Sequence, residues 1–519
     1  MAETSSTPVP APLTGSNLVL GTVVLSLATF MNVLDSSIAN VSLPAIAGNL
    51  GVSPTQGTWV ITSFGVANAI SVPLTGWLTQ RFGAVRLFVS SILLFVLASW
   101  LCGFASSLEM LIAFRVLQGL VAGPMIPLSQ TLLLSSYPRA KAGMALAMWS
   151  MTTLVAPVTG PLLGGWITDN VSWPWIFYIN VPVGLWAAAV TWRIYAKRET
   201  PTRKLPIDTV GLALLVLWVG SLQVMLDKGK ELDWFNSGQI TALAVMAAVG
   251  FVVFIAWELT EEHPIVDLRL FANRNFAFGS FTLSVAYCLF FGSVVLLPLW
   301  LQQYMGYTAT SAGMAMAPVG ILAIVLSPLV GRSVARVDPR RLATVAFLGF
   351  ALVLWMRSHF STDSDFATIM VPTILQGGAM AFFFIPLSAL TLSGLSPDKI
   401  ASASGLSNFT RITAGAMGTS LVTTLWENRA AMHHSHLVEH ISNTDATAVD
   451  ALSMLSKLGL TVEQASAQLN RLIDQQAFTR AADDVFLGSA WMFLALIPLV
   501  WLARPVRLGG VAPDGGGAH

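Results

Sequence analysis

Charge is scarce in this chain. Of 519 residues only 10% are Asp, Glu, Lys or Arg, while 55% are hydrophobic, and the net charge is +1. A soluble domain keeps about a quarter of its residues charged, so this composition excludes one in which most elements face water on one side. The near-neutral balance, with a pI near 7.8, also excludes the basic surface that nucleic acid demands. Cysteine is nearly absent. Cys102 and Cys288 each lie inside an apolar run, where a thiol behaves as a small hydrophobe, and no disulfide framework is expected. Lys and Arg are missing from the first 16 residues, so the basic region of a cleaved signal peptide is lacking and the first apolar run should remain as a spanning helix. Gly229-Lys230 lacks the preceding glycine of a phosphate-binding loop, and no Gly-x-Ser-x-Gly or His-Glu-x-x-His occurs. Neither nucleotide nor hydrolytic chemistry has a motif here, and no cofactor or metal is implied.

Long apolar runs, in contrast, are present from end to end, and the mean hydropathy is +0.70. At about twenty residues per crossing, the spans fall at 18–38, 57–77, 87–106, 109–131, 143–166, 175–195, 208–227, 238–258, 279–301, 309–331, 341–357, 368–393, 401–426 and 485–503. The expected fold is therefore an all-α membrane protein of fourteen helices. An internal echo divides it. Leu117-Gln118-Gly119 with Ile126-Pro127-Leu128-Ser129 returns as Leu375-Gln376-Gly377 with Ile385-Pro386-Leu387-Ser388. Pro73-Leu74, Gly76, Arg81 and Arg86-Leu87 return likewise as Pro328-Leu329, Gly331, Arg336 and Arg341-Leu342. The repeat equates the second helix with the tenth and the fourth with the twelfth. A shift of eight helices is even, so both halves insert the same way up, as parallel repeats of a transporter do. The expected plan is a tail (1–17), a six-helix bundle (18–200), an inserted helix pair (201–262), a second six-helix bundle (263–503) with a long loop (427–484), and a tail (504–519).

Orientation follows from the Lys/Arg bias. With both termini cytoplasmic, the inner loops hold Arg81, Arg86, Arg139, Lys141, Lys197 and Arg198 among others, and the outer side keeps few basic residues outside the long loop. In that loop Thr461 and Gln464 form a capping-box pattern, followed by an apolar stripe of Val462, Ala465, Leu469, Leu472 and Ile473. The stripe must pack on its own loop or on a partner protein. His433, His434, His436 and His440 read as a solvated polar face rather than a metal site.

Ionised groups within hydrocarbon are costly, so Asp35, Arg115 and Arg411, which lie inside spans rather than at their ends, are the first candidates for function. Asp35 lies among Ser36, Ser37 and Asn40, polar groups that suggest a wet helix face, where a carboxylate could exchange a proton for a substrate; the alternative is an Asp solvated at the mouth of a cavity. Arg115 cannot release its proton, so it is expected to hold a nearby carboxylate charged or to bond backbone carbonyls at a helix break. In the fifth helix Gly160, Pro161, Gly164 and Gly165 allow close packing and bending. A substrate cavity near the midplane would be lined by Met31, Asn32, Asn40, Trp59, Phe64, Gln118, Asn408 and Arg411, soft, aromatic or polar groups suited to loose recognition.

Taken together these residues resemble the fourteen-helix drug:proton antiporter branch of the major facilitator superfamily. Leu34-Asp35-Ser36-Ser37-Ile38-Ala39-Asn40 resembles its first-helix signature; Gly76, Arg81 and Gly83 resemble the inner-loop motif that gates the cytoplasmic side, with Gln80 where an aspartate is usual. Arg115, Gln118 and Gly119 match the fourth-helix motif tied to proton coupling, and Gly160, Pro161, Gly164 and Gly165 the antiporter motif, with Ala156 at its first glycine. The resemblance implies proton-driven export of hydrophobic or amphipathic toxic compounds across a bacterial inner membrane. It further implies a periplasmic adapter of the EmrA type and, through it, an outer-membrane TolC-type channel, with the striped loop as the adapter contact. Export of one native metabolite or fatty acid is the rival reading, and a membrane-embedded enzyme a remote one, since no nucleophile or acid/base pair converges.

Overall fold

The computed structural model describes residues 11–52, 54–138, 141–203, 206–334, 336–396, 399–439, 446–457 and 460–505. Apolar segments of this length leave the backbone only one local way to satisfy its hydrogen bonds in lipid, and the chain is accordingly helical. The helices are α1 (Gly15–Leu50), α2 (Trp59–Phe82), α3 (Ala84–Gly103), α4 (Leu108–Ser136), α5 (Ala142–Asn170), α6 (Trp175–Arg198), α7 (Thr209–Lys228), α8 (Gly238–Thr260), α9 (Arg274–Gln303), α10 (Ser311–Ser333), α11 (Pro339–Arg357) and α12 (Phe366–Thr391). They are followed by α13 (Ile400–Glu439), the short α14 (Ala446–Lys457) and α15 (Val462–Trp501). Among the described residues, twelve of these helices are long and apolar enough to cross a bilayer; α5 and the more polar α13 are long helices outside that set. Polar side chains start several of them: Ser107, Asp208, Asn273 and Asp365 each accept a backbone N–H of the first turn. Pro73 and Gly123-Pro124 interrupt α2 and α4, where a helix N–H is lost.

One packing scheme occurs twice. At the amino-terminal end α1 packs on α4, α5 and α6, α2 on α4, and α3 on α4 and α6. At the other end α9 packs on α12, α13 and α15, α10 on α12, and α11 on α12 and α15, the same pairs eight long helices on, with α15 in the place of α6 because the short α14 intervenes. The two sets meet where α5 crosses α10 and α12, and where α13 crosses α2 and α4. Gly76 of α2 lies so near Ser402 of α13 that a Cβ would overlap it, and Gly331 of α10 approaches Gly143 and Ala147 of α5 in the same way. These are the equivalent glycines of the sequence repeat. Helices α7 and α8 pack on each other, with α7 against α2 and α13. The outward face of α8 shows Val245, Val249 and Val252, each more than half exposed, an apolar surface that requires lipid.

The region over 427–484, expected to carry a helix opening at Thr461, is largely helical and joins its neighbouring spans without a break: α13 runs to Glu439 and α15 from Val462 to Trp501. No Pro or Gly lies between 427 and 439 or between 460 and 487 to stop either helix. Cross-links hold the two extensions together: His433 with Asp484 at 2.9 Å, His434 with Asn470 at 3.2 Å, and Trp426 Nε1 to the Phe478 carbonyl at 2.8 Å. The capping box at Thr461 and Gln464 opens α15. Of the expected apolar stripe Ala465 is buried, while Val462 and Leu472 stay exposed. His440 and Gly459 lie outside the described residues.

Candidate functional site

Inside the amino-terminal bundle five polar side chains from four helices converge. Asp35 of α1 is 1% exposed and Arg115 of α4 is 0%, and the Arg115 Nη1 donates to Asp35 Oδ2 at 2.5 Å. Such a pair tolerates burial better the more of its remaining donors and acceptors are met. Here Gln118 Nε2 and Asn180 Nδ2 each donate to Asp35 Oδ1 at 3.0 Å. Arg115 also donates through Nε to the Val60 carbonyl of α2 at 3.0 Å and through Nη1 to Gln118 Oε1 at 2.7 Å. Ser99 of α3 receives Asn180 Nδ2 at 2.9 Å and Gln118 Nε2 at 3.3 Å, and passes its own proton to the Phe177 carbonyl at 2.9 Å. The guanidinium lies 4.2 Å from the Phe64 ring centroid and 5.5 Å from that of Phe177, contacts that stabilise a desolvated cation.

This arrangement corrects one expectation. Asp35 does not sit on a wet face, because α2, α3, α4 and α6 close over it; Ser36, Ser37 and Asn40 satisfy themselves on α1, with Ser37 also facing the Ala156 carbonyl of α5. Cys102 is buried in an apolar cluster, as expected, and its Sγ lies 3.6 Å from Gln118 Oε1. Ser99 is not marked by any sequence pattern, and Asn180, part of a further stretch (Trp173, Trp175, Phe177, Asn180, Pro182 and Gly184) that resembles a hallmark of the family branch, was not expected at this site. Their partners stand 145 and 19 residues away along the chain, and only an Asn in an apolar run hinted at a need for a partner.

The residues expected to line a substrate cavity separate into three places. Gln118 and Phe64 belong to the Asp35–Arg115 network. Met31 and Asn32 are buried in the same bundle, Asn32 donating to the Ala122 carbonyl at 3.0 Å beside the α4 interruption. Asn40 is exposed, and Trp59 is 37% exposed with Lys228 5.4 Å from its ring. Asn408 and Arg411 alone lie where the two sets of helices meet. Arg411 Nη2 donates to Asn408 Oδ1 at 2.6 Å, and Asn408 in turn donates to the Ser404 carbonyl at 2.8 Å and to Gln130 Oε1 of α4 at 3.3 Å. Three rings surround the guanidinium: Tyr287 of α9 at 4.7 Å, Phe384 of α12 and Trp149 of α5 at 5.9 Å each. Gln130, Ser404 and the three rings were not anticipated, because helix packing and cavity lining leave the same apolar spacing in a sequence.

The small residues of α5 form a seam on α1. A Cβ at Gly160 would overlap the Ser37 hydroxyl, and one at Gly164 would fall 2.7 Å from Ile38. Gly165 follows in the same helix, and Pro161 contributes its backbone there, its ring lying outside the described side chains. At the α2–α3 junction Gly83 has φ of 89°, a conformation only glycine adopts cheaply. Glu199 fills the space beside it, accepting the Val85 N–H at 2.9 Å and the Arg86 N–H at 2.8 Å, so it caps α3 from the end of α6. Arg81 stands one turn from Trp77, 6.0 Å from its ring.

Comparison with known proteins accords with this geometry. The profile described as Major Facilitator Superfamily matches residues 25–419. The chain is 54% identical over 509 residues to the Multidrug export protein EmrB of Escherichia coli (strain K12), covering 98% of this chain and 99% of that protein. It is 50% identical over 508 residues to the Fatty acid resistance protein FarB of Neisseria gonorrhoeae, with 98% and 99% covered. Its fold is similar to the crystal structure of the human organic anion transporter MFSD10, with a TM-score of 0.61 at 12% identity, covering 94% of this chain and all of that one.

Proposed function

The chain belongs to the major facilitator superfamily, and on that premise we propose that it is a proton-driven exporter of many hydrophobic or amphipathic toxic compounds. Its similarity to the multidrug export protein supports the substrate class, and the buried Asp35–Arg115 pair carries the mechanism. In this reading all fourteen spans cross the bacterial inner membrane, α5 and α13 included. Bundles over 18–200 and 263–503 flank the inserted pair over 201–262, both termini are cytoplasmic, and Gly76, Arg81 and Gly83 belong to the cytoplasmic gate. An adapter of the EmrA type docks on the extensions of α13 and α15 and leads to a TolC-type channel.

The chemistry follows from the contacts. With Asp35 ionised, Arg115 ties α1 to α4 through the carboxylate and α4 to α2 through the Val60 carbonyl. Protonation cancels the charge that compensates Arg115, so the tie weakens and the guanidinium is left among rings and amides. Two states of one titratable pair, differing in how firmly α1, α2 and α4 are joined, can thus bias the bundle between two arrangements. Each entering proton supplies about 2.3 kcal/mol per 100 mV of membrane potential. The substrate site is the Arg411 cluster between the two sets of helices, where Trp149, Tyr287 and Phe384 offer broad faces. Proteoliposomes test the reading: an imposed pH gradient should drive drug accumulation by the wild type, and accumulation that persists after the gradient is collapsed would reject it. The similarity to the fatty acid resistance protein favours, as a second reading, a lipid-like acid as native cargo.

A further inference from the structure

The carboxy-terminal bundle contains a second buried arginine. Arg357, on the last turn of α11, is 1% exposed, and its Nη2 donates to Gln376 Oε1 at 2.7 Å and Thr373 Oγ1 at 3.3 Å. Its Nε and Nη1 have no hydrogen-bond partner among the described residues, and none of their carboxylates pairs with it. Phe486 of α15 lies 6.0 Å from the guanidinium. An arginine keeps its charge at any ordinary pH, and a buried charge without a counter-charge is strongly unfavourable.

Internal symmetry shows what has changed. Gln376 is the repeat of Gln118, by the shared Leu-Gln-Gly. In the register of that motif Thr373 stands where Arg115 does. In the register of Arg86-Leu87 and Arg341-Leu342, Arg357 stands where Cys102 does, and each faces its glutamine. For α9 the register comes from the glycine seams: Gly164 of α5 meets Ile38, and Val422 of α13 meets Gly292. Matching those contacts places Leu289 at the position of Asp35. The carboxy-terminal bundle has therefore moved its cation from α12 to α11 and replaced the carboxylate by leucine. A cation remains; its anion does not.

We propose that Arg357 and Gln376 hold a monovalent inorganic anion of halide size. Arg357 offers Nε–H and the Nη1 hydrogens. Gln376 accepts from Arg357 through its oxygen, which leaves its amide NH2 as a further donor on the adjoining side chain. The guanidinium is enclosed by α11, α12 and α15 within one bundle and is 1% exposed, and this favours a small ion over a cargo carboxylate. A halide does not protonate at physiological pH. The anion would balance charge in this bundle without titrating, leaving Asp35 to carry the proton.

The test uses the full-length protein purified in chloride-free gluconate buffer at constant ionic strength. Chloride and bromide titrations should raise the wild-type melting temperature with saturation, and bromide crystals should show an anomalous peak beside Arg357. Arg357→Gln should weaken radiolabelled chloride binding by roughly a hundredfold or more, the loss expected when a buried charge pair is broken. Leu289→Asp, which supplies a fixed carboxylate, should remove halide dependence with Arg357 still present. Should that variant not fold, Arg357→Gln and the bromide peak decide. Wild type indifferent to halide, or chloride binding unchanged in Arg357→Gln, overturns the assignment.

Discussion

Replacing Asp35 by Asn keeps the shape of the side chain and removes its charge. The Asn oxygen can still accept from Gln118 and Asn180, which both donate to Asp35 Oδ1 at 3.0 Å, but its NH2 then faces Arg115 Nη1 where the ion pair measured 2.5 Å. Donor meets donor, and Arg115, whose Nη2 has no partner among the described residues, loses its anion. Breaking a fully buried pair from one side costs about 3–5 kcal/mol. Removing the cation as well, in Asp35→Asn with Arg115→Met, should recover about 2 kcal/mol or more of that loss, because no charge is left uncompensated. The measurement is a double-mutant cycle on thermal or denaturant stability in one detergent, with pH-driven drug exchange in proteoliposomes alongside. Both single variants should be destabilised and inactive in exchange, and the double variant should be more stable than either yet inactive. Additive losses, or Asp35→Asn as stable as wild type, would show that the pair carries no coupling energy.

Three further outcomes follow from other contacts. Gly160→Val fills the α1–α5 seam and collides with Ser37, so it should destabilise the protein by about 1–3 kcal/mol and abolish transport, read from melting and efflux; normal efflux would deny the seam a role. Glu199→Ala removes the α3 cap formed at Val85 and Arg86 and should cost about 1 kcal/mol, seen as faster hydrogen exchange at those two amides, while Glu199→Gln should retain part of the cap. Arg411→Ala takes the cation from the ring cluster and should weaken binding of acidic amphipaths by about tenfold or more, corresponding to about 1.4 kcal/mol, with binding of neutral compounds changed less; equal losses for both would reject charge recognition there.

Much of this was visible in the sequence because of how a bilayer constrains it. Asp35 and Arg115 stood out since ionised groups are so rare within apolar runs, and Gln118 since its motif repeats at Gln376. The equivalence of Gly76 and Gly331, read from spacing, reappears as two matching crossings, at Ser402 and at Gly143. What could not be read were contacts set by tertiary packing. Asn180 reaches Asp35 across 145 residues, and Glu199 arrives from α6 to cap α3 in the loop region where Gln80 stands instead of an aspartate. The continuity of α13 and α15 across the ends of their spans is not legible for another reason: polar composition after residue 427 ends an apolar run, yet without Pro or Gly a helix can continue into water when its neighbour supports it, as the His433–Asp484 contact does.

Proton release on drug binding is the most direct measure of the central claim. In lightly buffered detergent solution, wild-type protein should release or take up protons when a saturating drug is added, with an amplitude that varies with pH, and Asp35→Asn with intact drug binding should give no signal. An equal proton signal from the variant would place the coupling on another group and contradict the account.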